Sequence, residues 1–203
     1  MPCSLKQSDT NTSSGIPPRE GQDKSRHGAS YTVPAVRLDG EYIMDSMAIA
    51  KALEAAHPTP SLHLDNPIVP TVQALLYKVF RPLVPELIPL YPQNVLREES
   101  LEYWVRTRTA TFGKPLEQVR ADDGGQKCYD AALEPLKEMA ELLKKAGGPF
   151  FLGKEASYAD IAWCGLVQFG RCASEDAFQW LVGVDDVFLK HYEACAPFMK
   201  RDD

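Results

Sequence analysis

Asp45 and Ser46 stand directly ahead of an alanine-rich segment that carries Ile49, Leu53 and Ala56 at helical spacing. An aspartate there is a good N-cap, because its carboxylate accepts from backbone N–H groups of the first turn. The five cysteines are Cys3, Cys128, Cys164, Cys172 and Cys195, an odd number with no C-x-x-C pair. That pattern predicts neither a disulfide framework nor a zinc site. The four histidines (His27, His57, His63, His191) are scattered and do not pair at ligand spacing, so no metal site is expected. A reactive thiol needs a helix N-terminus or a nearby cation to lower its pKa. Cys3 lies in a polar tail with only Lys6 close by, and Ser13 and Ser14 share that tail. Cys164 lies in an apolar run and reads as inert core. Arg106 and Arg108 could attract an anion, although arginines on a solvated helix face are the commoner case. No catalytic residue is identified from residue type and spacing.

The elements that must position these residues fall into three parts. Residues 1–30 contain no Phe, Trp, Tyr or Val, and are expected to be poorly ordered because they bury too little apolar surface. Residues 31–65 read as hairpin and helix: strand formers over 31–38, a second short strand over 41–44, and Asp39-Gly40 between them. An Asp-Gly loop supplies the positive φ angles of a type I′ turn. Pro58 and Pro60 end the helix that follows Asp45-Ser46.

From residue 66 the pattern is helical throughout. Residues 68–91 are apolar but hold Pro70, Pro82, Pro85 and Pro89, which predicts a kinked or broken helix. Residues 95–112 predict a more polar helix with Leu101, Trp104, Val105 and Phe112. Residues 126–146 place Tyr129, Leu133, Leu136, Ala140 and Leu143 on one stripe, closed by Gly147-Gly148-Pro149. Ser157-x-x-Asp160 is a capping-box pattern ahead of an apolar helix expected at the bundle centre, with Ala156 and Ile161 spaced as a hydrophobic staple. Two shorter helices, over 174–182 and 186–195, complete the chain.

Composition bounds the function. The 203 residues are 44% hydrophobic and 25% charged, with a net charge of −6. That balance argues against a nucleic-acid binder, which needs a basic face, and against a polybasic membrane anchor. No apolar run reaches the roughly 18 residues of a membrane span, and no apolar N-terminal run marks a secretory signal. A cytoplasmic protein is the expectation.

"YTVPAVRLDGEYIMDSMAIAKALEAAHPTPSLHLD" resembles the second half of the thioredoxin-like domain of cytosolic glutathione transferases. "FFLGKEASYADIAWCGLV" looks like the buried capping-box helix of their C-terminal domain, and "LEYWVRTRTATFGKPLEQV" is similar to a segment of the fungal etherase-like members. The resemblance implies an α+β, mostly helical fold: a partial thioredoxin-like module over 31–65, then an all-α C-terminal bundle over 66–203. A βαβ unit takes roughly 30 or more residues, so the family's opening strand–helix–strand is expected to be missing, through a truncated gene model or a reduced descendant.

Further implications concern the site. Glutathione would be the co-substrate and an electrophilic small molecule the acceptor, with a homodimer as one assembly the family allows. Val33-Pro34 would carry the family's cis-proline, letting the Val33 backbone pair with the cysteinyl unit of glutathione. A trans proline opening an edge strand is the ordinary alternative. Asp45-Ser46 would hold the γ-glutamyl end, its carboxylate at the helix N-terminus and its ammonium against Asp45. A plain N-cap without a ligand is the alternative there. Tyr77, Phe80, Tyr91, Tyr103 and Trp104 would line the acceptor cleft or, more simply, pack the bundle. A second function class remains open: a non-catalytic binding or scaffold protein built on the same fold.

Overall fold

The structure, a computed structural model, describes residues 34–200, and the chain divides after Leu64 into two compact units. Val33 and the whole of the 1–30 segment, with Cys3, Ser13 and Ser14, lie outside the described residues.

The first unit opens with β1 (Ala35–Leu38) and β2 (Glu41–Met44), paired antiparallel with Val36 opposite Ile43. Asp39 (φ 50°) and Gly40 (φ 89°) both have positive φ, as a type I′ turn requires. Helix α1 (Ser46–Ala56) follows Asp45 and ends at His57, where Pro58 prevents continuation. The loop after it is stitched back by Glu54, whose Oε1 accepts from the Ser61 hydroxyl (2.5 Å) and the Leu62 N–H (3.0 Å).

The second unit is helical. Helix α2 (Ile68–Leu87) runs unbroken through Pro82 and Pro85. The expected break comes later, at a 3-10 turn over Ile88–Leu90 that leads into the short α3 (Tyr91–Asn94). Each internal proline removes one backbone hydrogen bond. The helix survives because Val72, Leu75, Val79, Leu83 and Leu87 are all buried on one stripe, and packing rather than propensity supplies most helical stability. Helix α4 (Glu98–Phe112) buries no residue fully and ends at Gly113 in the left-handed conformation. Helix α5 (Leu116–Asp123) has no counterpart in the sequence reading; it is short and polar, and only Leu116 and Val119 are buried.

Helix α6 (Gln126–Ala146) follows its predicted span and is closed by Gly147 at φ 70°. Helix α7 (Tyr158–Ala173) packs against α2, α3 and two further helices, α8 (Glu175–Gly183) and α9 (Asp186–Ala194). Trp163 and Val167 of α7 are fully buried, as its composition suggested, but Ile161 is 41% exposed and makes no buried staple. The core of this unit is therefore α2, α6 and α7, completed by α8 and α9. Among the described residues no helix is long and apolar enough to cross a membrane.

Candidate functional site

The start of α1 is built by one residue. Asp45 sits at φ 76°, ψ 124°, a sparsely populated conformation for a non-glycine residue. That conformation turns the chain from β2 into the helix, and the Asp45 Oδ1 atom accepts from the N–H groups of Met47 and Ala48, both at 3.0 Å. Such strain is of order 1–3 kcal/mol and persists only where the surroundings hold it. Ser46, the first helical residue, is exposed, and among the described residues neither its N–H nor its hydroxyl has a hydrogen-bond partner. An acceptor-rich anion can therefore approach the Ser46 N–H and hydroxyl, with the helix dipole favouring its charge. Pro34, the first described residue, is exposed ahead of β1.

The five aromatic residues considered for an acceptor cleft separate into two groups. Phe80, Tyr91 and Trp104 are packed among themselves and with Phe169. Tyr91 stacks on Phe169 (4.2 Å between centroids, 22°) and on Trp104 (5.6 Å, 15°), and its hydroxyl donates to the Phe169 carbonyl at 3.1 Å. Burial pushes the Tyr91 phenol well above its ordinary value, so it is a neutral donor. Phe80 meets Phe169 edge-on at 5.5 Å. Tyr77 and Tyr103 are instead more than half exposed, beneath the guanidiniums of Arg81 (5.9 Å) and Arg106 (5.8 Å). Arg108 is not a solvated arginine: it is half-buried, lies 4.1 Å over the Trp104 ring, and bonds the Thr107 hydroxyl at 3.0 Å. The Trp104 Nε1 atom is buried without a partner among the described residues.

Two clusters built around a buried carboxylate were not visible in the sequence. Asp160 and His191 are both fully buried, with His191 Nε2 3.0 Å from Asp160 Oδ1. The same carboxylate accepts from the Phe151 N–H (2.9 Å), the Ser157 N–H (2.8 Å) and the Ser157 hydroxyl (2.7 Å). The capping box is thus the predicted one, but its aspartate also anchors α9 and the loop ahead of α7. Burial raises the Asp160 pKa, and the hydrogen bonds from His191, Phe151 and Ser157 outweigh that and hold it below the ordinary carboxylate value.

The second cluster joins α2 to the α5–α6 junction. Glu86 Oε1 accepts from Arg120 Nη2 (2.7 Å) and Nε (3.1 Å), and Oε2 accepts from the Gly125 N–H (2.8 Å). These bonds overcome burial and hold Glu86 below its usual pKa. A depression of about 470 Å³ beside it is lined by Gln93, Glu117 and Arg120 among others. The partners in these clusters lie 31 and 34 residues apart, which leaves no local signal. Among the described residues no group of three or more His, Cys, Asp or Glu is placed to hold a metal ion.

A strand–turn–strand–helix unit opened by Asp-Ser, followed by a helical bundle centred on a capping-box helix, defines the class of protein. Residues 71–189 match the family described as "Glutathione S-transferase, C-terminal domain". That match covers more than half of the chain, and the protein belongs to the glutathione S-transferase family. It is 30% identical over 151 residues to the glutathione S-transferase-like protein ustS of Aspergillus flavus, across 64% of this chain. The matched stretch spans 54% of that relative, so the chain covers about half the length of the curated relative it matches. Its fold is similar to a glutathione S-transferase of Ceriporiopsis subvermispora crystallised in complex with glutathione. The TM-score is 0.73 at 24% identity, covering 89% of this chain and 76% of that one. Glutathione transferase GSTFuA2 of Phanerochaete chrysosporium gives a TM-score of 0.72 at 23% identity, covering 88% and 76%.

Proposed function

We propose that this protein is a glutathione transferase-type enzyme that takes glutathione as co-substrate and an electrophilic small molecule as acceptor. The observation that carries the reading is the start of α1: a strained Asp45 cap with the Ser46 N–H and hydroxyl unpartnered among the described residues. There the γ-glutamyl carboxylate of glutathione would accept from Ser46, while its ammonium faces Asp45. Val33-Pro34 would pair with the cysteinyl backbone, as an extended peptide adds to a sheet edge. The reading is supported by the family and by a structural relative whose crystals contain glutathione. The chemistry would be addition of the glutathione thiolate to the electrophile, or thiol-assisted cleavage of an ether. The protein's contribution would be to hold both reactants together. The fungal origin of the relatives fits a role in fungal secondary metabolism or detoxification, in the cytoplasm.

Calorimetry with glutathione on the 203-residue chain tests the site. We expect measurable binding that Ser46→Ala weakens about fivefold, the equivalent of one hydrogen bond of about 1 kcal/mol. A spectrophotometric conjugation assay with a generic electrophile then tests turnover. Absence of binding, with no effect of Ser46→Ala, would reject the site and leave a scaffold built on the same fold.

A further inference from the structure

Arg120 reaches from α5 to the end of α2, and only part of its guanidinium is used there. Its Nε and Nη2 atoms both donate to one oxygen of Glu86, at 3.1 and 2.7 Å. The other Glu86 oxygen is occupied by the Gly125 N–H. Glu86 is buried, while the Arg120 side chain is 48% exposed. One edge of the planar group is thus clamped from inside. The remaining hydrogens, two on Nη1 and one on Nη2, have no partner among the described residues. Nη1 and Nη2 together form the fork that meets a carboxylate through two parallel hydrogen bonds. Because Glu86 already fixes the side chain, binding costs less of the rotamer entropy that a free surface arginine loses.

Arg120 lines the depression of about 470 Å³, all of whose lining belongs to the helical unit. That volume is in the range of small-molecule sites, roughly 300–1,000 Å³. Pro89, Leu90 and Ala121 supply apolar lining. Gln93 and Glu117 line it as well, both exposed, and neither side chain has a hydrogen bond or ion pair among the described residues. Glu117 precedes Arg120 by three residues on α5, a spacing at which opposite charges on a helix meet. Arg120 turns to Glu86 instead and leaves Glu117 free.

The charges select the ligand. Two carboxylates, Glu86 and Glu117, stand against one guanidinium, so the lining is net negative and disfavours a simple anion despite its carboxylate fork. A simple cation would satisfy Glu117 and leave the fork empty. A molecule carrying both charges satisfies both groups. We propose that this depression binds a small zwitterion, an α-amino acid with an apolar side chain. Its carboxylate accepts from the free edge of Arg120, its ammonium donates to Glu117, and its side chain covers Pro89, Leu90 and Ala121. The Gln93 carboxamide, with a donor and an acceptor, can serve either charged group. The site does not depend on glutathione binding at α1.

NMR titration of the full chain with L-phenylalanine tests the proposal. The amides of Gln93, Glu117, Arg120 and Ala121 should shift together and saturate. Hydrocinnamate keeps the aromatic body and carboxylate but lacks the ammonium; phenethylamine lacks the carboxylate. Each should bind about tenfold more weakly, the loss of one charge-assisted hydrogen bond. Glu117 is exposed and unpartnered, so Glu117→Gln leaves the fold intact. That variant should weaken phenylalanine about fivefold and strengthen hydrocinnamate, because the repelling charge is gone. Arg120→Lys keeps the charge beside Glu86 and loses the fork, and should weaken both ligands. No saturable shift of these amides at the solubility limit of phenylalanine would overturn the proposal. So would equal binding of phenethylamine or hydrocinnamate to the wild-type chain, or a Glu117→Gln variant with both affinities unchanged.

Discussion

Asp160 carries more of the fold than any other single polar side chain described here. Its two oxygens serve four donors from three segments: Phe151, Ser157 twice, and His191. Asparagine is nearly isosteric but presents an NH₂ where donors already converge. We expect Asp160→Asn to cost about 3 kcal/mol, because the new NH₂ faces converging buried donors and leaves them without an acceptor. Ser157→Ala, which removes one hydroxyl donor and leaves the N–H contact, should cost about 1 kcal/mol. Thermal or urea melts of both variants measure the ratio. The pH dependence has a definite sign. Folding lowers the Asp160 pKa from 3.8, so its stabilisation is complete above that value and is lost as pH falls through the lower native value. Stability of the wild-type chain should therefore fall on acidification below about pH 4, and Asp160→Asn should flatten that slope. Parallel acid slopes for the two proteins would show that other carboxylates dominate.

At the scale of the elements, the junction of α5 and α6 depends on a missing side chain. A Cβ at Gly124 would lie 2.5 Å from the Arg120 carbonyl oxygen and 2.7 Å from Glu86 Oε2. The first of these is backbone and the second is held by Arg120 and Gly125, so neither can retreat cheaply. Gly124→Ala should cost about 1–3 kcal/mol through overpacking, with α2 and α5 both affected because Glu86 belongs to one and Arg120 to the other. A denaturant midpoint equal to wild type would show that the junction can shift. Helix α1 depends on a side chain that is present. Asp45→Ala removes the cap of Met47 and Ala48 and leaves the strained backbone unsupported. We expect a loss of about 1–2 kcal/mol, read in the melt, together with weaker glutathione binding if the site is used as proposed.

For the molecule as a whole, stability is unevenly distributed. The larger unit buries Val79, Leu87, Leu136, Leu143, Trp163 and Phe188 almost completely. Among its described residues the smaller unit has two strands of four residues each, and only Ile49 and Ala50 of its α1 are buried. A two-stranded hairpin is marginal on its own. Native-state hydrogen exchange should therefore show the amides of β1 and β2 exchanging orders of magnitude faster than those of Trp163 and Val167. Equal protection in the hairpin and in α7 would require the molecule to open only as one cooperative body.

The elements were legible because their signals are local. Asp39-Gly40 gives a type I′ turn by φ alone, Asp45 caps whatever helix follows it, and Ser157 with Asp160 closes a box three residues wide; tertiary packing need not assist. The apolar stripe of α6 was read correctly for the same reason, since a 3.6-residue period depends only on the chain's own geometry. Local reasoning failed where packing decided. The prolines of 68–91 pointed to a kink or a break without fixing its place; burial of the Val72–Leu87 stripe carries α2 through Pro82 and Pro85, and the break falls at Ile88–Leu90. Helix α5 is too short and polar to show a period, and only its docking through Leu116 and Val119 makes it a helix. Val33-Pro34 was singled out only through family likeness, and Val33 lies outside the described residues. The pairs Glu86–Arg120 and Asp160–His191 come from segments distant in sequence. Charge and hydrogen bonding depend on separations of about 3–4 Å, and only the folding of α2, α5, α7 and α9 brings those atoms that close.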